Sequence, residues 1–110
     1  MNGGPNWVKN YVDAPIIVND TGHEYYKQPY FYALGHFSKF IVPDSVHIHH
    51  DTQTNVQNFH LTIFERPDGG KVVTVLNTNN QPFDLQVHDP QHGYLDSQVK
   101  ANSLETFIWY

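Results

Sequence analysis

The chain has 110 residues, no cysteine, 15% aromatic and 39% hydrophobic residues, which is enough for one small packed domain and too aromatic for a disordered acidic tail. Six Lys and Arg face 11 Asp and Glu, a net charge of -5 with no basic stripe, which argues against nucleic-acid binding. The lack of cysteine excludes disulfide scaffolds, thiol catalysis and cysteine-ligated zinc, and there is neither an apolar run near the ~20 residues of a membrane span nor a signal-peptide core.

Gly3-Gly4-Pro5 opens as loop, and residues 6–13 mix aromatic and polar side chains without a period. Pro15-Ile16-Ile17-Val18 predicts a strand, stopped by the turn-like Asn19-Asp20-Thr21-Gly22, with Tyr25-Tyr26 in its hairpin partner. Pro29 suits the first turn of a helix. Tyr30, Leu34, Phe37 and Ile41 then recur at helical spacing, widened by Phe31 and Phe40, up to Pro43. Gly35 costs such a helix ~1 kcal/mol relative to Ala, which predicts close packing against something else. From Pro43 onward the period becomes two. Phe59, Leu61 and Ile63 alternate with His60, Thr62 and Phe64, and Pro67-Asp68-Gly69 fits a type I turn. Residues 71–76 read as a Val-rich strand and 77–81 as a polar loop. Phe83, Leu85 and Val87 alternate again, Asp89-Pro90 and His92-Gly93 turn the chain, and residues 104–110 close it as an aromatic strand. Short strands separated by turn signals predict a mainly β, antiparallel sandwich. The helix is aromatic on several sides with little chain before it, so it needs a larger body to pack against.

Residues 1–42 carry three acids and three bases, so the whole charge of -5 lies in residues 43–110, with six of the eight histidines. Protonating all eight would turn -5 into +3, near pH ~6.5 for unperturbed His. That fits either a chance surface or a protein that meets an acidic compartment. His47-x-His49-His50 places His47 and His49 on one face of a strand, but no carboxylate has ligand spacing to them. The cluster reads as a solvated sheet face, and no metal site is assigned. Asp89 and His88 are adjacent on a strand and cannot face each other, and no Gly-rich phosphate loop or serine-nucleophile motif is present. The acids fall mainly in loops and at exposed strand positions, and none forms a marked pair for acid–base work. Trp7, Asn10 and Tyr11 combine flat aromatic faces with an amide, which suits a sugar ring and its hydroxyls. They suit equally an ordinary loop with buried rings and a turn-capping Asn. Asn19-Asp20-Thr21 is an N-glycosylation sequon.

Several of these residues together carry a resemblance. Gly3-Gly4-Pro5-Asn6-Trp7-Val8-Lys9-Asn10-Tyr11-Val12-Asp13 followed by Pro15-Ile16-Ile17-Val18 closely resembles glycoside hydrolase family 30, in its lysosomal glucosylceramidase branch. So do Tyr26-Lys27-Gln28-Pro29, Phe31-Tyr32 and Leu34-Gly35-His36-Phe37-Ser38-Lys39-Phe40-Ile41. Pro67-Asp68-Gly69, residues 72–77 and Ser103-Leu104-Glu105-Thr106-Phe107-Ile108-Trp109 continue it in pattern and turns.

The resemblance implies a (β/α)8 catalytic barrel joined to a β-sandwich, with this chain at the C-terminal end. Residues 1–28 would be a loop and β-hairpin segment near the active-site mouth, 29–42 the last barrel helix, and 43–110 the β-sandwich. The family's acid/base and nucleophile glutamates lie on barrel strands upstream, so it implies no catalytic residue in this chain. Asn10 matches an asparagine that contacts the bound glucose, and Trp7, Val8, Lys9 and Tyr11 match a mobile mouth loop. The resemblance further implies glucosylceramide as substrate, a retaining mechanism without cofactor, a lysosomal setting reached by the secretory route, a saposin-type activator and an anionic lipid surface as partners. Tyr11 departs from the family's frequent Phe, Val46-His47-Ile48 stands where Arg is usual, and residues 55–60 diverge. The alternative is a truncated, non-catalytic β-sandwich module that binds glycan or lipid, or modulates a full-length enzyme.

Overall fold

A computed structural model describes Val8 and residues 12–110. The first element is an antiparallel hairpin, β1 (Ile16–Asn19) and β2 (Glu24–Lys27), in register from Ile16↔Lys27 to Asn19↔Glu24. The Gln28 N–H donates to Pro15 O at 2.9 Å and anchors the start of helix α1 (Pro29–Ser38) to the base of the hairpin. Gln28 is extended and Pro29 occupies the first turn, where its missing N–H removes no intrahelical bond. The helix stops four residues short of the expected 29–42. The Ile41 N–H still bonds Phe37 O at 2.9 Å, but Pro43 biases the residue before it away from helical geometry, so the last turn unwinds.

Tyr30, Tyr32, Leu34 and Phe37 remain exposed, so among the described residues nothing covers this side of the helix. Among the described residues a Cβ placed at Gly35 likewise meets nothing within 4 Å. Gly35→Ala is therefore expected to raise the unfolding free energy of the chain by about 0.5–1 kcal/mol, read from urea denaturation. A loss of stability would contradict the open space around Gly35 within the chain.

The remaining chain forms two layers. A four-stranded antiparallel sheet has the order β3-β4-β5-β8, from β3 (Val46–His47), β4 (Phe59–Glu65), β5 (Lys71–Asn77) and β8 (Ser103–Trp109). The second layer is the hairpin of β6 (Phe83–Asp89) and β7 (Gly93–Val99). Period-two patterning decides the faces. Odd-numbered Phe59, Leu61, Ile63, Val73, Val75, Phe107 and Trp109 pack against Phe83, Leu85, Val87 and Val99 from the hairpin, and Val73, Val75 and Val99 are fully buried at the centre. On the hairpin's opposite side the cross-strand partners are polar or flat. Gln98 donates to Asp84 at 3.2 Å, Gln86 to Asp96 at 2.8 Å, and His88 stacks on Tyr94 at 4.5 Å.

The even-numbered face of the large sheet receives the helix. The His36 ring lies 2.9 Å from Thr106 Oγ1, which lies 3.2 Å from Thr74 Oγ1, so a polar thread runs from α1 across β8 to β5. This explains the run of burial in β5: Val72 and Thr74 are covered on one face, Val73 and Val75 on the other. A β-branched sequence suits that position. The turn at residues 66–70 forms as its spacing implied, with Gly69 N–H donating to Arg66 O at 3.0 Å and Gly69 at φ 85°.

Two expectations need correction. Asn77 is not loop. It ends β5, is fully buried, and donates through Nδ2 to Gln81 O at 3.0 Å and Lys100 O at 2.8 Å, while its Oδ1 accepts from the Asn79 N–H at 2.9 Å. His47 and His49 do not share a strand face, because β3 ends at His47.

Candidate functional site

Of the mouth loop assigned by resemblance, the structure describes Val8, which is exposed at a turn. Trp7, Lys9, Asn10 and Tyr11 lie outside the described residues. Asn19 occupies the last position of β1, opposite Glu24.

A cleft of about 740 Å3 opens between β4 and β6, beneath the segment 48–54. Its floor includes Phe59, Leu61, Ile63, Phe83 and Leu85, the same side chains that pack around the sandwich core. It is the uncovered margin of the interior between the two layers, with Asp89, Lys71 and Trp109 at one end.

That end carries the most developed electrostatics among the described residues. Lys71 and Trp109 are directly opposite each other on β5 and β8, and Asp89, 6% exposed, lies across them. Its Oδ2 accepts from the Trp109 indole N–H at 2.8 Å and from the His92 ring at 2.8 Å, with Lys71 Nζ at 3.7 Å. Its Oδ1 accepts the Gln91 N–H at 2.9 Å. Burial pushes the Asp89 carboxyl up. The Trp109 indole, the Gln91 backbone N–H, the His92 ring and the Lys71 ammonium outweigh that and hold it well below the usual carboxylate range. An acid held this way stays ionised and has its lone pairs engaged, so it is a poor proton donor at neutral pH.

The sequence reading missed this cluster. The pattern puts the acids mainly in loops and at exposed strand positions and excludes His88 as a partner to Asp89, without offering another. The partner is His92, three residues on, where the Asp89-Pro90-Gln91-His92 turn folds the ring back, with His92 N–H donating to Asp89 O at 3.3 Å. The usable signal was Trp109, since a half-buried indole N–H needs an acceptor.

Other described carboxylates are also bound into local structure. Asp68 accepts from Arg66 at 2.8 Å and from the Gly70 N–H at 3.1 Å, and Glu105 accepts from the Lys100 N–H at 2.8 Å and Ser103 Oγ at 3.0 Å. Among the described residues no group of three or more His, Asp or Glu could hold a metal ion. His47 packs edge-on against Phe64 at 5.3 Å, and His49 pairs with Asp51 at 3.6 Å in full solvent. No described helix is long and apolar enough to cross a membrane.

Comparison with known proteins gives the arrangement a context. Residues 1–41 match the glycosyl hydrolase family 30 TIM-barrel domain, and residues 44–107 match the family's beta sandwich domain. The chain is 44% identical over 109 residues to the lysosomal acid glucosylceramidase of Mus musculus, covering 97% of this chain and 21% of the mouse protein. It is 47% identical over 75 residues to putative glucosylceramidase 1 of Caenorhabditis elegans, covering 68% of this chain and 14% of that protein. The chain thus spans about a fifth or less of these relatives and corresponds to the C-terminal portion of the mouse enzyme. In fold it is similar to an endo-β1,6-glucanase, with TM-score 0.83 and 19% identity over 98% of this chain and 24% of that one. SrfJ from Salmonella typhimurium gives TM-score 0.83 and 23% identity, with the same coverage. A sandwich matched along most of its length, following a stretch matched to the barrel, makes this chain a member of glycosyl hydrolase family 30.

Proposed function

We propose that the chain is the C-terminal part of a glucosylceramidase, which hydrolyses the β-glucosyl bond of glucosylceramide to glucose and ceramide. The observation that carries this reading is the 44% identity to the mouse lysosomal enzyme along 97% of the chain. In this reading residues 1–28 form the segment at the active-site mouth, 29–42 complete the barrel and 43–110 are the supporting sandwich. The exposed aromatic side of α1 is the surface the rest of the barrel would cover. Retention requires two carboxyl groups ~5 Å apart, one acting as acid/base and the other as nucleophile. Both belong to barrel strands outside these residues. Asn10 is the residue of this chain that hydrogen-bonds the glucose, with Trp7, Val8, Lys9 and Tyr11 at the rim. The setting is lysosomal, with a saposin-type activator and an anionic lipid surface presenting the substrate.

The test uses the full-length protein that carries this chain, assayed on glucosylceramide in anionic vesicles. Asn10→Ala is expected to lower kcat/KM about tenfold to a hundredfold, the loss of one or two hydrogen bonds to the sugar, while the 110 residues alone cleave no fluorogenic β-glucoside above a blank. Turnover by the 110 residues, or a full-length variant indifferent to Asn10→Ala, would overturn the respective part. A native product no longer than this chain would leave the non-catalytic module as the reading.

A further inference from the structure

The β1–β2 hairpin holds a group that the hydrolase reading does not use. Asn19-Asp20-Thr21 is the single Asn-x-Ser/Thr triplet in the sequence, and the fold puts it at the hairpin tip, where residues 20–24 are all exposed. Asn19 Oδ1 accepts from Thr21 Oγ1 at 2.9 Å and from the Gly22 N–H at 3.3 Å. This Asx-type turn folds the amide and the hydroxyl of the triplet onto one another. Asp20 is turned away, with its carboxylate accepting the Thr21 N–H at 2.9 Å.

Asn19 itself is half-buried. Asn19 Nδ2 donates to Glu24 Oε1 at 3.1 Å, which uses one of its two hydrogens, and the amide also interacts with the Tyr26 side chain. The Tyr26 hydroxyl, then Asn19, hold the Glu24 carboxyl below its ordinary value, so the acceptor for the retained N–H is a carboxylate. Gly22 makes the room, because a Cβ there would stand 2.6 Å from Nδ2. A substituent on Nδ2 still leaves one N–H for the Glu24 carboxylate.

We propose that Asn19 is an N-glycan attachment site. The donor is a lipid-diphosphate-linked oligosaccharide. The Nδ2–C1 bond forms as the C1–O bond to the diphosphate breaks, the lipid diphosphate leaves with the electron pair, and the displaced amide proton passes to a base of the transferase. The inference rests on the proposed function only for its secretory route.

The experiment expresses the full-length protein behind a cleavable signal peptide in mammalian cells, beside a control glycoprotein. Peptide mass spectrometry reads the tryptic peptide 10–27, with the glycan released enzymatically in heavy-oxygen water. The expected result is a heavy-oxygen label at position 19 and a gel shift that Asn19→Gln and Thr21→Ala abolish and Thr21→Ser keeps. A bare peptide 10–27 while the control is occupied would overturn the proposal. Transfer occurs as the chain enters the secretory pathway, so variants that fold poorly still report on it. A glycosylated but inactive protein would count against the hydrolase reading alone, and an active protein bare at Asn19 against this inference alone.

Discussion

Asp89→Ala is expected to lower the unfolding free energy by about 3–5 kcal/mol, the range for removing one partner of a buried ionic cluster. Typical domains have only about 5–15 kcal/mol in total. The substitution leaves the Trp109 indole N–H, the Gln91 N–H and the His92 ring without their acceptor and Lys71 without its counter-charge. It also unfastens the tip of the β6–β7 hairpin from the larger sheet, because those contacts bridge the two layers. The pH dependence follows from the sign of the Asp89 shift. Its carboxyl is held below the value it takes in the unfolded chain, so its contribution is fully present above the unfolded value near pH ~4 and is lost as the pH falls below it. Urea denaturation from neutral to acid pH should show wild-type stability falling below about pH 4, and a flatter acid limb for Asp89→Asn. An Asp89→Ala protein within about 1 kcal/mol of wild type would refute the assignment, being in the ordinary range for a surface substitution.

The second large effect is expected at the other end of the same hairpin. Asn77, fully buried at the end of β5, binds the carbonyls of Gln81 and Lys100, the residues that lead into β6 and out of β7. Asn77→Ala should cost about 2–4 kcal/mol by leaving buried carbonyls unmatched. Asn77→Asp gives a sharper test. A carboxylate facing two carbonyl oxygens can donate only when protonated, so its pKa in the fold must rise. The deficit of the variant relative to wild type should therefore be smallest below the unfolded carboxylate value and grow as the pH rises, opposite in sign to the contribution of Asp89. An equal deficit of Asn77→Asp relative to wild type at acid and neutral pH would show that Nδ2 is not the critical donor.

Both residues show where the sequence ceased to be legible. Alternation in residues 59–64 and 83–87, the Val-rich run 71–76 and the Pro67/Gly69 turn expose the sandwich, because these signals are local. Asn77 lies in a run of Asn and Thr that has the composition of a turn, and its buried role depends on Lys100, far along the chain. The partners of Asp89 come from β5, from its own turn and from the last residue of β8, and only the folded register unites them. Gly35 is legible only in part for a related reason, since the helix signal reports a covered face without saying what covers it. In the candidate site, Asn10 was legible through resemblance alone, because an Asn beside two aromatic residues is also an ordinary loop.

The pairing of β5 with β8 has a kinetic consequence. Asn77↔Ser103 closes the ladder across residues 78–102, 25 residues that must be ordered before the central strand gains its second neighbour. Most of them are the β6–β7 hairpin, which forms from local contacts and leaves only residues 78–82 and 100–102 as flexible connection. If the hairpin folds first, the closing loop shrinks from 25 residues to eight, which lowers its entropic cost by about 1 kcal/mol. The order of events then follows from chain connectivity: local hairpins first, and the β5–β8 closure as the slow step.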